Sequence, residues 1–421
     1  MAKAASLNAI DIGSSKISCV ITVPNPDTGK INVVGVATTP SRGVRKGQIV
    51  DIEEAVNAIT DAVEAAERMA GFSISESFVS ITGDHIQSQN SKGVVAITQP
   101  EAEIEQEDVF RVIEAARAIS LPSSRDILHV LPREFIVDSQ RGIKDPIGMA
   151  GVRLETDAHL ITASSVSIKN ITKCINEIGI NVSACVYTGL AASQSVLTDT
   201  EKELGVILVD IGGGTTSISI FVEGACCYSA VVPIGAKKVT DDLAIGLMIS
   251  LENAEKIKHH LSKTTDSEKE KSDEINLSKL GLKEDTKTIN RKHVVDGIIR
   301  PRLAELFTYV GQALKKSGYN GATPSGIVLT GGGSLTVDAI STCKRVLQLP
   351  TRIGFPEGLS GLTDEINSPA YASTSGLIIY GLQKGNEGGS SKKSVFSGIS
   401  NKLPLKGLTT KITDFIKSFL P

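Results

Sequence analysis

The sequence predicts an α/β protein of more than one domain, with a small α+β insertion and a C-terminal amphipathic helix. Three observations point there. One strand–glycine turn–strand plan occurs twice, as AIDIGSSKISCVI (Ala9 to Ile21) and LVDIGGGTTSISIF (Leu208 to Phe221). Between the copies, closely spaced strands interrupt a strand–helix order that later resumes. At 421 residues the chain also exceeds what a single core usually serves.

The elements follow in order. LNAIDIG, SKISCVITV and INVVGVATT read as strands, with turn chemistry at PNPDTGK. Asp51 to Gly71 reads as a helix: Asp51 is the N-cap, Glu54 completes a capping box, and Gly71 stops it. Residues 75–165 alternate strands (SFVSITG, GVVAITQ, DILHVLPREFIVD, HLITASS) with a helix near Glu105 to Ala118, a plausible α+β insertion. A helix at 167–178, a strand at 180–187 and a helix at 189–199 then restore the α/β order. Residues 262–292 are charged and poor in large apolar groups, so a solvated loop is expected. A helix at Val294 to Ser317 precedes SGIVLTGGGSLTVDAISTCKRVL, a strand, glycine turn and helix. The compact fold should end near Gly381 to Lys384.

Composition removes several function classes. A net charge of −3, no Trp and only six Tyr leave no footprint for nucleic acid. The six cysteines form no C-x-x-C or Cys/His cluster, and a reducing compartment is expected. The adjacent Cys226 and Cys227 lie in a strand-like run and should be buried as small hydrophobes. No secretory pattern opens the chain and no window of 18 apolar residues spans a bilayer, so a cytosolic location, or the cytosolic face of a membrane, is expected.

The chemistry lies in three glycine turns. In both hairpins glycine permits close approach to a phosphate, and backbone N–H groups face it. Ser14, Ser15, Thr215 and Thr216 add hydroxyl donors after Gly13 and after Gly212, Gly213 and Gly214, and Lys16 adds a point charge. Asp11 and Asp210 end their strands beside the turns, placed to hold a magnesium ion directly or through its waters. The P-loop pattern is absent, and β-branched alternation rather than a helix follows both hairpin turns, which excludes the dinucleotide fingerprint. The third turn, Gly331, Gly332 and Gly333, opens a helix with Ser334 or Thr336 as cap and suits a base or ribose. A lone glycine turn after a strand is ordinarily just a turn; three in this order carry a stronger message.

Together these turns resemble the actin-like ATPase superfamily, and within it the bacterial FtsA family of cell-division proteins. SRGVRKGQIVDIEEAV (Ser41 to Val56), ILHVLPREFIVD, GIKDPIGMAGVRL (Gly142 to Leu154), HLITA, GLAASQSVLT (Gly189 to Thr198), ELGVILVDIGGGT and SPAYASTSGLIIYG (Ser368 to Gly381) carry the likeness over most of residues 7–384. The resemblance implies two lobes built on duplicated ribonuclease-H-like domains, with ATP and Mg2+ in the cleft. The first core would be 1–83, 166–188 and 360–384, and the insertion 84–165. The second core would be 189–235 and 311–359, with an outer subdomain at 236–310. It also implies nucleotide contacts at Gly13 to Lys16, Gly212 to Thr216, Gly235, Gly331 to Gly333, and a ribose pair, Glu255 and Lys258. Ala236 stands where a second glycine is usual.

The segment joining the lobes offers Thr188 and Gly189 where readily hydrolysing relatives place a polar or acidic residue, so slow hydrolysis at most is expected. His129 and His159 should be structural. The resemblance further implies self-polymerisation and recruitment of later division proteins through the insertion, and capture of the C-terminal peptide of the tubulin-like FtsZ by the outer subdomain, for which Arg300 and Arg302 are candidates. A pilus-assembly scaffold and a small-molecule kinase of the same superfamily are the alternatives; a chaperone ATPase needs more chain after Lys384.

The end of the chain supports an anchor. After a Gly/Ser/Lys tether at 385–404, Leu405, Leu408, Ile412, Phe415, Ile416, Phe419 and Leu420 fall within one helical arc of roughly 140°. Lys406, Lys411 and Lys417 flank it, where they can snorkel toward anionic headgroups. A helix over 405–421 is therefore expected to lie flat on the cytoplasmic membrane surface at the division site.

Overall fold

The computed structural model describes residues 6–25, 30–97, 103–263, 273–277, 288–319 and 321–389, the last four by backbone course alone. Two sheets repeat one topology. In the first, Leu7–Ile12, Lys16–Pro24 and Ile31–Pro40 run as an antiparallel meander, and Glu76–Ile81 and Asn181–Tyr187 add parallel strands on the Leu7–Ile12 side. In the second, Val206–Ile211, Thr216–Val222 and Ala225–Val232 form the meander, and Ile327–Thr330 and Thr351–Ile353 add the parallel strands. Three antiparallel strands followed by two parallel ones, twice in one chain, is the duplicated ribonuclease-H-like plan of an actin-like fold.

Burial follows that plan. Val206–Ile211 is buried at all six positions, as a central strand covered on both faces must be. SFVSITG does not belong to the insertion: Glu76–Ile81 pairs in parallel with Leu7–Ile12 and completes the first sheet. The insertion's own sheet is four-stranded and antiparallel, in the order Gln87–Ala96, Arg153–Ser164, Arg125–Val137, Gln140–Ile143. Helix Gln106–Arg117 lies on it, and Val112, Ala116, Leu154 and Leu160 fill the space between.

Helix Ile52–Ala70 starts at Asp51, whose carboxylate accepts from the Glu54 N–H at 3.0 Å, and stops at Gly71 in the left-handed region. The expected capping box closes only half-way. Glu54 turns to Arg42 at 3.4 Å, and the Asp51 N–H finds the Gly43 carbonyl instead. The two lobes are joined by helices Thr188–Val196 and Ala372–Gly389, which cross at backbone contact. A Cβ on Gly376 would lie 1.8 Å from the Ala191 carbonyl oxygen. The second helix continues through Gly385–Gly389, which were expected to begin the tether.

The expected helix at Val294 to Ser317 forms as Arg291–Val294, a π turn Val295–Ile299, and Arg300–Ser317. The wide turn precedes Pro301, which has no N–H to donate and whose ring needs the room. Part of the expected solvated loop is ordered: Glu274–Asn276 pairs with Thr288–Asn290, because Ile275 and Leu277 are buried in the second core. The rest of that charged stretch, 264–272 and 278–287, and the expected anchor helix at 405–421 lie outside the described residues. All six cysteines are buried and unpaired with one another, Cys226 and Cys227 among them. No helix among the described residues is long and apolar enough to cross a membrane.

Candidate functional site: a cleft between paired glycine turns

The duplication brings the two hairpin tips face to face. Each is closed by the same backbone bond, Gly13 N–H to Lys16 O at 3.1 Å and Gly212 N–H to Thr215 O at 2.9 Å. The tips touch: a Cβ on Gly213 would lie 2.7 Å from the Ser15 Cβ, and one on Gly214 2.7 Å from the Ser14 Oγ. The third turn joins them because Ile327–Thr330 runs parallel to Val206–Ile211 and ends level with Asp210. Gly331 holds φ +79°, and a Cβ there would strike the Asp210 carboxylate at 2.2 Å. The turn then becomes a short 3-10 helix, Gly332–Leu335, not an α-helix. Ser334 donates to the Gly331 carbonyl and Thr336 ends this turn, so neither caps Ala339–Leu347, whose N-cap position is Asp338.

These elements enclose a cavity of about 240 Å³. Asp11, Gly13, Ser14, Ser15, Lys16, Asp210, Gly212, Gly213, Gly214, Thr215, Glu255, Lys258, Gly331, Gly332 and Gly333 all line it. It adjoins a larger cavity of about 700 Å³ that shares Ser14, Ser15, Gly213, Gly214 and Glu255. Two expected residues stand back. Thr216 is fully buried and donates to the Ile234 carbonyl at 2.8 Å. Gly235 packs beneath the second turn, where a Cβ would meet the Gly212 carbonyl oxygen at 2.5 Å. Ala236 is no obstacle: its N–H bonds Gly212 O at 2.9 Å.

The charges are set by burial. Asp210 is pushed up to about 7, by desolvation first and by the charge of Asp11 second, with a Ser373 hydrogen bond opposing. Burial likewise raises Asp11, against Ser80 and Lys16. Lys16 is lowered by burial against the pull of Asp11, and its ammonium sits 3.8 Å from the Tyr371 ring centroid. Glu255 behaves oppositely. Burial would raise it, but His259, Lys258 and Thr240 together bring it down to about 2. The Lys258 ammonium lies 2.7 Å from Glu255 and 2.8 Å from Thr240, so this pair reaches the cleft as a fixed unit.

Several lining groups were not apparent in the sequence. Lys237 donates to the Ser14 carbonyl at 2.7 Å and ties the two hairpins across the cleft. Thr82 hydrogen-bonds Ser217 at 3.2 Å, as Thr188, already singled out in the sequence, does at 2.9 Å, and all three line the cavity. Ser373 reaches Asp210 at 3.1 Å. Only Lys237 had a local signal, two residues after the Gly235 turn. Arg300 and Arg302 lie away from the cleft, already paired: Arg300 with Asp338 and Asp296, Arg302 forked onto Asp242 and also on Glu305.

The chain resembles known proteins over most of its length. A family model for Cell division protein FtsA matches residues 207–376, and one for the SHS2 domain inserted in FtsA matches 83–162. The chain is 40% identical over 379 residues to Cell division protein FtsA of Pseudomonas aeruginosa, covering 90% of each. The chain belongs to the FtsA family. The Escherichia coli K12 member is 35% identical over 382 residues, covering 89% of this chain and 90% of that one. Among solved structures, the PilM–PilN type IV pilus biogenesis complex has a chain with TM-score 0.65 at 15% identity, covering 90% of this chain and 99% of that chain. MreB5 of Spiroplasma citri bound to ADP gives TM-score 0.53 at 13% identity, covering 91% and 98%. These two likenesses establish the actin-like fold, and family membership makes the chain an actin-like cell-division protein whose insertion is of the SHS2 type.

Proposed function

We propose that this family member binds Mg2+ and ATP in the cleft and uses them to control assembly on the cytoplasmic membrane. There it polymerises, anchors FtsZ filaments and recruits later division proteins. One observation carries the nucleotide reading: three glycine turns, two carboxylates and the Glu255–Lys258 pair converge on one cavity from four separate stretches of chain. The solved MreB5 structures with ADP and AMPPNP show a related fold holding such ligands.

The roles follow from the chemistry of the donors. Backbone N–H groups at Ser14, Ser15, Gly213 and Gly214 and the ammonium groups of Lys16 and Lys237 suit phosphate oxygens. Gly331 to Gly333 leave backbone bare for the adenosine, and Glu255 and Lys258 suit the ribose. Asp11 and Asp210 fit a magnesium ion, since burial penalises the charge of both and that of Asp11 adds to the penalty on Asp210 until a cation sits nearby. Among the described residues no group of three or more His, Cys, Asp or Glu could hold a metal. Mg2+ commonly keeps its waters and takes one or two carboxylates plus phosphate, so a carboxylate pair suffices.

Hydrolysis should be slow. Where a general base would orient water, the cleft presents the hydroxyls of Thr188, Thr82 and Ser217. His129 and His159 lie elsewhere, and burial drops each to about 3. The basic, apolar sequence at 405–421 supports the membrane role. Docking of an acidic FtsZ peptide on Arg300 and Arg302 would have to displace their present acidic partners, which makes the wider outer subdomain the surface to test. Titration with a fluorescent ATP analogue and Mg2+ tests the central claim: saturable binding lost in Gly213→Val is expected. Absence of binding by the unaltered chain would sink it. Co-sedimentation with anionic vesicles, of the full chain against one stopped at Lys384, tests the anchor, and pull-down on an FtsZ tail peptide tests the partner.

A further inference from the structure

The stretch from Ser41 to Val56 carries family likeness, and its first half folds onto the tips of the glycine turns. Val44–Arg45 and Gln48–Ile49 pair as a small antiparallel hairpin whose two-residue turn is Lys46 and Gly47. The Ser41 N–H bonds the Ser15 carbonyl at 3.0 Å, and the buried Gly47 N–H bonds the Ser14 hydroxyl oxygen at 2.8 Å. Gln48 donates to Asp84 at 2.5 Å, and a Cβ on Gly47 would meet the Thr82 carbonyl oxygen at 2.7 Å. The second glycine turn lies against the same spot: a Cβ on Gly214 would be 3.1 Å from the Lys46 Cα. The turn of this small hairpin therefore touches both glycine turns at once.

Local conformation does not select lysine at position 46. Both turn residues are left-handed, Lys46 at φ +48° and Gly47 at φ +75°, and a two-residue turn of that kind favours Asn, Asp or Gly at its first position. Nor does the charge serve a neighbour: Lys46 is exposed, and among the described residues its ammonium has no ion-pair partner. The other lysines nearby are committed. Lys237 gives its ammonium to the Ser14 carbonyl, Lys238 pairs with Asp241 at 2.8 Å, and Lys258 holds Glu255. Ser14 is poised in a complementary way, since its oxygen accepts from Gly47 and its own proton is left to be donated into the cleft.

The two cavities give these groups an order along the site. Gly331, Gly332, Gly333 and Lys258 line only the cavity of about 240 Å³, whereas Arg45 and Lys46 line only the one of about 700 Å³. Ser14, Ser15, Gly213, Gly214 and Lys237 line both. The adenosine end and the small hairpin thus lie on opposite sides of the glycine tips. From this arrangement we infer that Lys46 reads the length of the phosphate chain. Its ammonium, together with the Ser14 hydroxyl that Gly47 orients, takes the terminal phosphate of a nucleoside triphosphate, and a diphosphate does not reach it. The inference rests on the nucleotide reading and adds to it the residue that sets triphosphate selectivity.

The test is competition of ATP and of ADP, each with Mg2+, against the fluorescent ATP analogue on the full chain, with thermal melting alongside. Lys46→Asn is the informative variant, because asparagine suits the left-handed turn and only the charge is removed. It should melt no lower than the unaltered chain, lose about tenfold in ATP affinity, and keep its ADP affinity within twofold; tenfold is the size of one charge-assisted hydrogen bond to phosphate. Lys46→Arg, which keeps the charge, should retain the preference for ATP. Arg45→Ala, one place earlier on the paired strand, should leave the ratio of ATP to ADP affinity within twofold. A ratio in Lys46→Asn within twofold of the unaltered chain, an equal fall for both nucleotides, or loss of the ratio in Arg45→Ala overturns the assignment and leaves nucleotide binding in place. Failure of the unaltered chain to bind either nucleotide overturns both readings, and does so at the first titration.

Discussion

Asp210 ends a fully buried strand with Asp11 as neighbour, and its carboxyl holds its proton up to about pH 7. The folded value lies above the ordinary 3.8, so its contribution to stability is complete below pH 3.8 and is lost as pH rises through 7. Asp210→Asn should therefore raise the melting temperature of the ligand-free chain at pH 8 while abolishing Mg2+-dependent nucleotide binding. In the unaltered chain, Mg2+-dependent binding should strengthen as pH climbs from 6 to 8, which a titration series would show. Gly331→Ala should be costly, about 2–4 kcal/mol by denaturant unfolding, since it combines a positive φ with a clash on Asp210. At this scale the sequence was legible where a residue type is forced: glycine at the tips, aspartate at strand ends. Lys237, Ser373, Thr82 and Ser217 escaped notice because their places depend on which strand or helix lies opposite, and a hydroxyl in a strand looks like any strand residue.

The two joining helices show why small residues matter to whole elements. Ala191 and Ala192 face Gly376 closely enough that the backbones touch. Gly376→Ala should force the helices apart at a cost of about 3 kcal/mol, seen as a lower melting temperature together with weaker nucleotide binding. Thr188 begins the first of these helices at the cleft. Thr188→Glu should raise steady-state ATP hydrolysis at least about tenfold by supplying the missing base, and an unchanged rate would remove the stated reason for slow turnover. Helices and hairpins with strong caps or alternation were readable in the sequence, as Asp51 and Gly71 show. Local pattern alone groups Glu76–Ile81 with the strands of the insertion, and only the family resemblance puts it in the first core, because parallel pairing across a long gap leaves no local mark. The Ile275 hairpin was missed because its two buried side chains are diluted by charge on either side.

For the molecule as a whole, the twofold repeat was legible because both copies keep the same glycine chemistry. The contact of the insertion with the second lobe was not, since it is written in isolated hydroxyls, Ser88 and Ser229, and in one histidine, His159. The proposed anchor at 405–421 is tested on its own terms: Phe415→Glu with Phe419→Glu should release the chain from anionic vesicles and leave nucleotide binding unchanged. Burial also silences every thiol. It pushes Cys19 and Cys226 up to about 12 and Cys185 and Cys343 up to about 11, and all six are buried. The native chain should be blind to maleimides, so a single cysteine introduced at Ser418 would be the one site that takes a dye. An environment-sensitive label there reports whether this part of the chain enters lipid when anionic vesicles are added, and how far, on the natural cysteine background.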